Sequence, residues 1–318
     1  MQSIITENLA PRRVGRLAPS PSGRLHMGNI LSFLIAALSC EHLVLRVEDL
    51  DPQRSKREYI DQLFRDLEYL GFEWEGPVLY QSKRTGFYRE AFTRLNEKAL
   101  VYPCFCTRAD LHSANAPHFG EEFVYPNTCR HMSCRKRSAL MEASNSPGAR
   151  KPAWRLEVQD GDISFYDLLQ GRQSWNLAQS SGDFIVRRSD GVFAYQLAVV
   201  VDDAAQGVTR VVRGVDLLSS APRQLYLQQL LDCRQMEYGH VPLLVNEEGV
   251  RLSKRNADAS LAYLIDDKRM SPERIFGHLA YLCGIVPEAA SMGIGELKKY
   301  ARLDSLKNKT SFVWESIE

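Results

Sequence analysis

The pattern of apolar and polar residues predicts alternating strands and helices in the first hundred residues. A short mixed stretch at 13–18 and an apolar run at 43–47 are typical of buried strands. The apolar segment 30–38 predicts a buried helix, and leucine and tyrosine recur at helical spacing between 59 and 70. A further helix is predicted from about 85 to 98. Strands and helices in this order indicate a parallel sheet with crossover helices.

The α/β pattern is interrupted in the middle of the chain and then returns. Residues 101–152 are rich in Cys, His, Pro, Asn and Ser and have no clear period, which indicates an insertion. Short alternating stretches with turn signals between 154 and 188 predict small antiparallel strands. The apolar stretch 197–201, the β-branched stretch 208–212 and a helical stretch at 222–231 mark the return of the α/β pattern.

These changes in pattern predict an α/β fold that is divided in two by an inserted module. The region that follows the second half is expected to be helical to the end of the chain. The predicted units are residues 13–100 (first half of the α/β domain), 101–190 (inserted metal-binding and small α+β module), 191–256 (second half) and 257–318 (helical C-terminal region).

Composition and charge give little guidance to partners. The 318 residues include 40 basic and 39 acidic side chains, a net charge of +1, so a nucleic-acid face must be a local patch. The chain start lacks the basic region and apolar run of a signal peptide, and no stretch has the roughly 18 apolar residues of a membrane span. We therefore expect a cytoplasmic protein with no membrane association and no obligate protein partner. Its seven cysteines are then more typical of a metal site than of disulfides.

Two segments far apart in the chain have the chemistry of a phosphate site. The loop at 18–29 contains two prolines and a glycine and leads into the first predicted helix, whose N-terminus offers N–H groups to phosphates. There, Gly28 permits a close backbone approach, and His26 can donate a hydrogen bond to a phosphate that gains charge. In the segment 251–255, Lys254 supplies a cation that can follow the same charge. Alone, each segment is more typical of a surface turn or a solvated charge run than of a phosphate site.

Together, the two segments resemble the H-I-G-H and K-M-S-K-S signatures of class I aminoacyl-tRNA synthetases. The residues that carry the chemistry, His26, Gly28 and Lys254, are retained. The positions that depart from the signatures are Met27, Asn29, Arg251, Leu252 and Arg255. The resemblance covers about residues 13 to 260 and implies a Rossmann-type catalytic core that binds ATP with Mg²⁺. It implies catalytic roles for His26 and Lys254, and ATP contacts at His26, Gly28, Asn29, Ser253 and Lys254.

Other segments are similar to the glutamyl and glutaminyl branch of that family. Residues 15–23 and 45–51 resemble its opening, and 193–203 and 212–216 match its pocket segments. The resemblance implies that glutamate contacts Arg16, Leu17, Ala18, Pro19, Ser20, Glu48, Tyr195 and Arg213.

The chemistry of these residue types agrees with a glutamate pocket. Glu48, at a strand end, can meet the substrate ammonium, and the guanidinium groups of Arg16 and Arg213 can bind a carboxylate bidentately. Tyr195 can complete the pocket with its hydroxyl. Arg213 favours glutamate over glutamine, because a buried guanidinium facing a neutral amide lacks its charge partner. Taken singly, each residue is equally compatible with a structural ion pair, a helix cap or a core position.

Four of the seven cysteines lie in one short segment of the predicted insertion. Cys104, Cys106 and Cys129 supply three soft ligands for tetrahedral zinc, and ligand chemistry alone favours Cys134 or a histidine as the fourth. The candidates for the fourth ligand are Tyr125, Cys134, His131, His118 and His112. Short paralogues of glutamyl synthetases carry Cys-x-Cys with Tyr-x-x-x-Cys, and this resemblance selects Tyr125. It implies one structural zinc on Cys104, Cys106, Tyr125 and Cys129, whereas the alternative is a set of reduced, unliganded cysteines.

A cluster of basic residues accompanies this segment. It offers a contact for RNA phosphates, and a solvated charged surface is the alternative interpretation. Its members are Arg130, Arg135, Lys136, Arg137, Arg150 and Lys151.

The region after Arg255 is too short for the helical anticodon-binding body of a complete glutamyl-tRNA synthetase, which we expect to need roughly 100 residues or more. The chain therefore resembles the glutamyl-queuosine tRNA(Asp) synthetases. That resemblance implies activation of glutamate by ATP, followed by transfer to a cyclopentene hydroxyl of queuosine in the anticodon loop of tRNA(Asp). The alternatives are a truncated synthetase that charges tRNA(Glu), a small-molecule adenylyltransferase of the same superfamily, and a catalytically silent paralogue that only binds RNA.

Overall fold

The first half of the chain folds in the predicted order of strands and helices. The computed structural model describes residues 12–53, 55–107, 110, 124–252, 260–300 and 302–315. Its first elements are β1 (Val14–Leu17), α1 (Met27–Ser39), β2 (His42–Val47), α2 (Arg57–Tyr69), β3 (Leu79–Tyr80) and α3 (Thr85–Glu97). The three strands pair in parallel in the order β1-β2-β3, which confirms the predicted parallel sheet. Helix α1 is apolar on most of its surface because it is buried between the sheet and later helices.

The middle of the chain contributes strands to two different sheets. Its elements are β4 (Val101–Cys104), α4 (Cys134–Ser144), β5 (Ala153–Leu156), β6 (Asp162–Asp167), β7 (Gly171–Asn176), α5 (Leu177–Ser180) and β8 (Phe184–Arg187). Strands β4, β5 and β8 form an antiparallel sheet, as the alternating pattern predicts. The hairpin β6–β7 pairs instead with a strand of the second half of the chain, a long-range pairing that local alternation cannot reveal.

The second half completes the sheet beside β1. Its elements are α6 (Tyr195–Ala205), β9 (Arg210–Gly214), α7 (Ser220–Leu230), β10 (Glu237–Val241) and β11 (Leu243–Val245). Strands β9 and β10 pair in parallel, and β6 lies on the other side of β10. Strand β9 runs next to β1, because the Thr209 N–H donates to the Val14 carbonyl at 2.9 Å. This contact brings together the two halves that the insertion separates in sequence.

The C-terminal region is not helical to its end, contrary to the prediction. A π-helix (Tyr263–Asp267), α8 (Pro272–Leu282) and α9 (Ile294–Leu297) are followed by β12 (Ser311–Val313), which pairs in parallel with β11. A strand of three residues is too short to show an alternating pattern, and its partner lies far away in the chain. Helix α8 packs Ile275, Phe276 and Leu279 into the cluster that contains α1. Among the described residues, no helix is both long and apolar enough to cross a bilayer.

Candidate active site and metal site

A cavity of about 420 Å³ lies where the chain leaves β1, β2, β9 and β10. The carboxyl ends of parallel strands gather at this edge, which is where open α/β sheets bind ligands. The predicted site residues that line the cavity are Arg16, Ala18, Pro19, Ser20, His26, Gly28, Asn29, Glu48, Tyr195 and Arg213. Leu17 does not line it, and its side chain is fully buried in the hydrophobic core. Ser253 and Lys254 lie outside the described residues.

His26 sits at the N-terminus of α1, at the wall of the cavity. Its backbone N–H donates to Asn29 Oδ1 at 3.3 Å, and the Asn29 N–H donates to its carbonyl at 2.8 Å. The asparagine that departs from the family signature therefore caps the helix that carries the histidine. A Cβ at Gly28 would lie 3.1 Å from two ring atoms of His26, so the glycine leaves room for the imidazole.

The segment that contains Lys254 begins and ends beside this cavity. Arg251 and Leu252 line the cavity, and Arg251 forms an ion pair with Asp216, which follows β9. At the other end of the segment, Ser260 forms a β-bridge with His26. Residues 253–259 themselves lie outside the described part of the chain.

Four charged groups with little solvent exposure form a cluster in the wall of the cavity and directly behind it. Arg46, in β2, is fully buried and donates to Asp203 at 2.5 Å and to Glu48 at 3.2 Å. Arg16 lies 3.2 Å from the same Asp203 carboxylate and donates to the Val212 carbonyl at 3.2 Å. Two guanidinium groups and two carboxylates thus balance one another, which a buried arrangement of charges requires.

The arginines of the cluster counteract the effect of burial on the pKa of Glu48. Burial raises the pKa of this carboxyl, and the guanidinium groups of Arg46 and Arg16 oppose that effect. Burial lowers the pKa of Arg46, but the attraction of Asp203 and Glu48 outweighs burial and raises it. Sequence analysis did not single out Arg46 or Asp203. The signal that was available for Arg46 is an arginine within an otherwise apolar strand.

Arg213 is held by three neutral groups in the wall of the cavity. Its Nε donates to His240 Nε2 at 3.0 Å, one terminal nitrogen donates to Gln224 Oε1 at 2.8 Å, and the other donates to the Leu217 carbonyl at 3.2 Å. Among the described residues, no carboxylate contacts this guanidinium directly. Behind His240 lies Asp167, whose carboxylate accepts from the imidazole Nδ1 at 2.5 Å.

Three thiols converge near the end of β4, as the spacing of the cysteines predicts. The sulfur atoms of Cys104, Cys106 and Cys129 lie within 4.8 Å of one another. Tetrahedral zinc with bonds of about 2.3 Å requires sulfur atoms about 3.8 Å apart, so this group fits a single ion. The Tyr125 hydroxyl lies 3.5 Å from Cys104 Sγ and 3.7 Å from Cys106 Sγ, where a fourth ligand is needed.

The alternative fourth ligands do not join this group where the structure describes them. Cys134 is exposed at the start of α4, His131 is exposed, and neither belongs to the cluster of potential ligands found among the described residues. His112 and His118 lie outside the described residues. The donor set that the structure brings together is therefore three thiols and one phenol.

A buried arginine lies against this donor set. The Arg155 guanidinium stacks 3.5 Å from the centroid of the Tyr125 ring and donates to Cys104 Sγ at 3.3 Å. The hydrogen bond with Cys129, opposed by burial and aided by Tyr125 and Arg155, lowers the pKa of the Cys104 thiol to about 4. A thiol with a lowered pKa is present as the thiolate that metals bind. Within the same group the hydrogen bond with Cys104 raises the pKa of Cys129, and burial raises that of Tyr125, so one thiolate is stabilised among these donors.

A glycine positions the tyrosine. Gly182 adopts a left-handed backbone with a φ of +62°, and a Cβ there would lie 2.7 Å from the Tyr125 carbonyl. The neighbouring Ser181 carbonyl accepts from the Tyr125 N–H at 3.2 Å. Only glycine combines this backbone with so close an approach.

Most of the basic residues near the three-thiol cluster make internal contacts. Arg137 and Arg150 donate to carbonyl groups of the cysteine segment, among them those of Cys129 and Cys106. The remaining internal contacts are those of Arg130 with Glu157 and Asp183 and of Lys151 with the Ser144 carbonyl. Arg135 and Lys136 are exposed in the first turn of α4.

The chain is similar to known synthetases along most of its length. Residues 13–311 match the family model described as tRNA synthetases class I (E and Q), catalytic domain. A glutamyl-Q tRNA(Asp) synthetase of Neisseria meningitidis serogroup C is 45% identical over 78% of this chain and 82% of its own length. Proteins of the same name from Nitratidesulfovibrio vulgaris and Dechloromonas aromatica are 43% and 42% identical, covering 86% and 88% of this chain and 87% and 89% of their own lengths.

Solved structures share the fold at lower identity. A glutamate-tRNA synthetase from Elizabethkingia anophelis superposes with a TM-score of 0.79 over 96% of this chain and 68% of its own length, at 21% identity. A glutamate tRNA ligase from Elizabethkingia meningosepticum, solved in complex with its amino acid, gives the same TM-score at 22% identity, over 96% of this chain and 67% of its own. Both likenesses confirm the predicted fold class.

Proposed function

Since this chain belongs to the glutamyl-Q tRNA(Asp) synthetase family of class I tRNA synthetases, we propose that it activates L-glutamate with ATP and transfers the glutamyl group to queuosine in tRNA(Asp). It is a ligase of the class I aminoacyl-tRNA synthetase type. The observation that supports the substrate is one cavity lined by Arg16, Glu48, Tyr195 and Arg213 together with His26.

The proposed substrate contacts follow from charge. Glu48 binds the ammonium of glutamate, and Arg16 and Arg213 bind its side-chain carboxylate, with the Tyr195 hydroxyl completing the pocket. The N-terminus of α1 and His26 stabilise the phosphates of ATP, to which Mg²⁺ is bound. The polar side chains and the helix N-terminus line a single cavity, so both substrates can meet there.

In the first step, an α-carboxylate oxygen of glutamate attacks the α-phosphorus of ATP. The bond from that phosphorus to the bridging oxygen breaks, and pyrophosphate leaves with the electron pair. Negative charge accumulates on the phosphate oxygens, where His26 donates a hydrogen bond and where we place Lys254, a residue outside the described part of the chain. Catalysis is then positioning and charge stabilisation, with no covalent bond to the enzyme.

In the second step, a hydroxyl of queuosine attacks the carbonyl carbon of glutamyl-adenylate. The bond from that carbon to the phosphate oxygen breaks, AMP leaves with the electron pair, and the hydroxyl proton passes to solvent.

We place the RNA contact at the exposed Arg135 and Lys136. Replacing both with alanine should raise the KM for tRNA and leave tRNA-independent activity unchanged; a normal KM for tRNA would place the contact elsewhere.

We propose that the three-thiol cluster with Tyr125 holds one structural zinc ion. Cys104, Cys106 and Cys129 are the remaining ligands, and the ion would cross-link β4 to the segment that leads into α4. We expect about one zinc per chain by elemental analysis and loss of that zinc in Cys104→Ser. A wild-type protein that is fully folded without metal would refute this assignment.

The decisive experiment is exchange of labelled pyrophosphate into ATP, measured with glutamate and without tRNA. Exchange distinguishes the enzyme from a silent RNA-binding paralogue, and glutamate dependence distinguishes it from an adenylyltransferase of another substrate. Absence of exchange with glutamate would refute the proposal. Arg213→Ala should raise the KM for glutamate steeply, and an unchanged KM would show that the residue binds something else.

Charging then identifies the acceptor. The protein should charge tRNA(Asp) that carries queuosine and should not charge tRNA(Asp) that lacks it. Charging of tRNA(Glu) alone would overturn the proposed acceptor and favour the reading as a truncated glutamyl-tRNA synthetase.

A further inference from the structure

Two buried residues behind the cavity form a chain of hydrogen bonds that ends on Arg213. We propose that Asp167 and His240 are positioning residues: through a fixed imidazole tautomer they orient the Arg213 guanidinium and make the cavity select a side-chain carboxylate over a carboxamide. The inference rests on the proposed role of Arg213 in binding glutamate. Neither residue lines the cavity.

Asp167 is the fixed end of this chain of hydrogen bonds. It is fully buried at the end of β6, and its Oδ1 accepts three backbone N–H groups at 2.9–3.1 Å, from Leu169, Gln170 and His240. Its Oδ2 accepts from His240 Nδ1 at 2.5 Å. Burial alone raises the pKa of Asp167, but the contacts with His240 and the backbone outweigh it and lower the pKa. The carboxylate is therefore ionised and cannot rotate without losing four hydrogen bonds.

The ionised carboxylate fixes the tautomer of His240. Nδ1 faces an acceptor, Asp167 Oδ2, whereas Nε2 faces a donor, the Arg213 Nε–H at 3.0 Å. A neutral ring with its proton on Nδ1 satisfies both contacts, whereas the other tautomer and the cation would each point an N–H at the guanidinium. Burial, aided by the charge of Arg213 and opposed by Asp167 and by the Leu217 carbonyl, lowers the pKa of His240, which agrees with a neutral ring. The Tyr238 ring lies nearly parallel to the imidazole, with the two ring centroids 6.0 Å apart.

These hydrogen bonds hold the Arg213 guanidinium in place but put no carboxylate in direct contact with it. His240, Gln224 and the Leu217 carbonyl occupy three of the five N–H groups of Arg213, which leaves one N–H on each terminal nitrogen. Two such N–H groups form the fork that binds a carboxylate bidentately. Asp167, the acid in this chain of hydrogen bonds, contacts His240 and does not contact Arg213. A substrate carboxylate can therefore supply the negative charge that contacts the guanidinium, which a carboxamide cannot do.

Asp167→Asn tests the chain of hydrogen bonds with an isosteric change. An asparagine carbonyl can still accept the backbone N–H groups, but its amide nitrogen faces His240 Nδ1 and forces the proton onto Nε2, against Arg213. We expect the KM for glutamate in pyrophosphate exchange to rise about 10- to 100-fold, the preference for glutamate over glutamine to fall by a similar factor, and the KM for ATP to stay within about twofold of wild type. His240→Gln, which retains an acceptor for Arg213, should recover part of the preference that His240→Phe loses.

Asp183→Asn is the matched control. Asp183 is equally buried and accepts from the Val158 N–H at 2.7 Å and from the Tyr102 hydroxyl at 2.6 Å. It immediately precedes β8 of the antiparallel sheet and does not line the cavity. It should cost comparable stability and leave the KM for glutamate unchanged. A wild-type KM and preference in Asp167→Asn, or an equal loss in Asp183→Asn, would overturn the proposal.

Nitrogen NMR of the wild-type protein tests the tautomer directly, even if Asp167→Asn does not fold. With the signal assigned through His240→Gln, we expect a protonated Nδ1 and an unprotonated Nε2 at neutral pH. A proton on Nε2 would refute the chain of hydrogen bonds whatever the activity of the protein. Conversely, failure of the wild type to exchange pyrophosphate with glutamate would refute the proposed function and leave the tautomer result standing, so the two failures are distinguishable.

Discussion

Replacing Arg46 with methionine should weaken glutamate binding, although Arg46 does not line the cavity. Arg46 donates to Asp203, to Gln206 Oε1 at 3.2 Å and to Glu48 Oε1 at 3.2–3.3 Å. Methionine fills much of the volume of the arginine stem but supplies no charge. The substitution therefore leaves Glu48 without its nearest cation and Asp203 with Arg16 alone.

The substitution should lower both the stability of the protein and its affinity for glutamate. Removing one partner of a buried ion pair costs about 3–5 kcal/mol of stability. Burial already raises the pKa of Glu48, and loss of the opposing Arg46 raises it further, which favours the neutral carboxyl and weakens the charge-assisted bond proposed to the substrate ammonium. Such a bond contributes about 1.5–3 kcal/mol, which corresponds to a rise of roughly 10- to 150-fold in the KM for glutamate.

The assay is glutamate-dependent pyrophosphate exchange combined with urea unfolding. Because loss of Arg46 raises the pKa of Glu48 further, the KM for glutamate should fall more strongly with rising pH in Arg46→Met than in the wild type. The KM for ATP should change little, because Arg46 contacts no residue that we assign to ATP.

Arg84→Met is the matched control. Arg84 pairs at 2.6 Å with Asp202, the neighbour of Asp203 on α6, and neither Arg84 nor Asp202 lines the cavity. It should cost stability on the same scale without raising the KM for glutamate. If Arg46→Met loses stability but keeps the wild-type KM, or if both variants raise the KM equally, the coupling of Arg46 to Glu48 is wrong.

Three further predictions concern other parts of the structure. Gly182→Ala should reduce the zinc content and the thermal stability, since its Cβ would clash with the Tyr125 carbonyl at 2.7 Å; full zinc occupancy would contradict that reading. Gly28→Ala should lower the exchange rate about tenfold by displacing the His26 ring, while helix propensity leaves stability equal or up to about 1 kcal/mol higher; unchanged exchange would show that the ring position is unimportant. Finally, acid should destabilise the wild type through His240. Its native pKa is lowered from 6.5, so its contribution to stability is present above that pH and is lost as the pH falls through the native pKa, by up to about 1.4 kcal/mol per pH unit. His240→Gln should lack this slope in urea titrations, and an identical slope would exclude His240 as its source.

The sequence by itself determined the parts of the protein that short segments encode. Apolar periodicity predicted α1, β2 and α3 within a few residues, because burial requires the same spacing wherever a helix or strand packs. Cysteine spacing predicted a metal site, and three of the four proposed ligands form one cluster of thiols. The resemblance to class I synthetases identified the family, which the comparisons confirm.

Tertiary structure alone decided which distant groups meet. The hairpin β6–β7 joins β10 rather than the sheet of its sequence neighbours, and this pairing places Asp167 against His240, 73 positions away. Arg46 and Asp203 are 157 positions apart, and nothing in either local segment indicates their contact. Local sequence patterns indicate which face of a helix or strand is buried. They do not indicate the partner of a buried charge, because that partner is whichever group the fold brings within hydrogen-bond distance. The residues proposed to bind substrate could therefore be named from the sequence, whereas those proposed to fix their charge and orientation emerged only from the packed sheet.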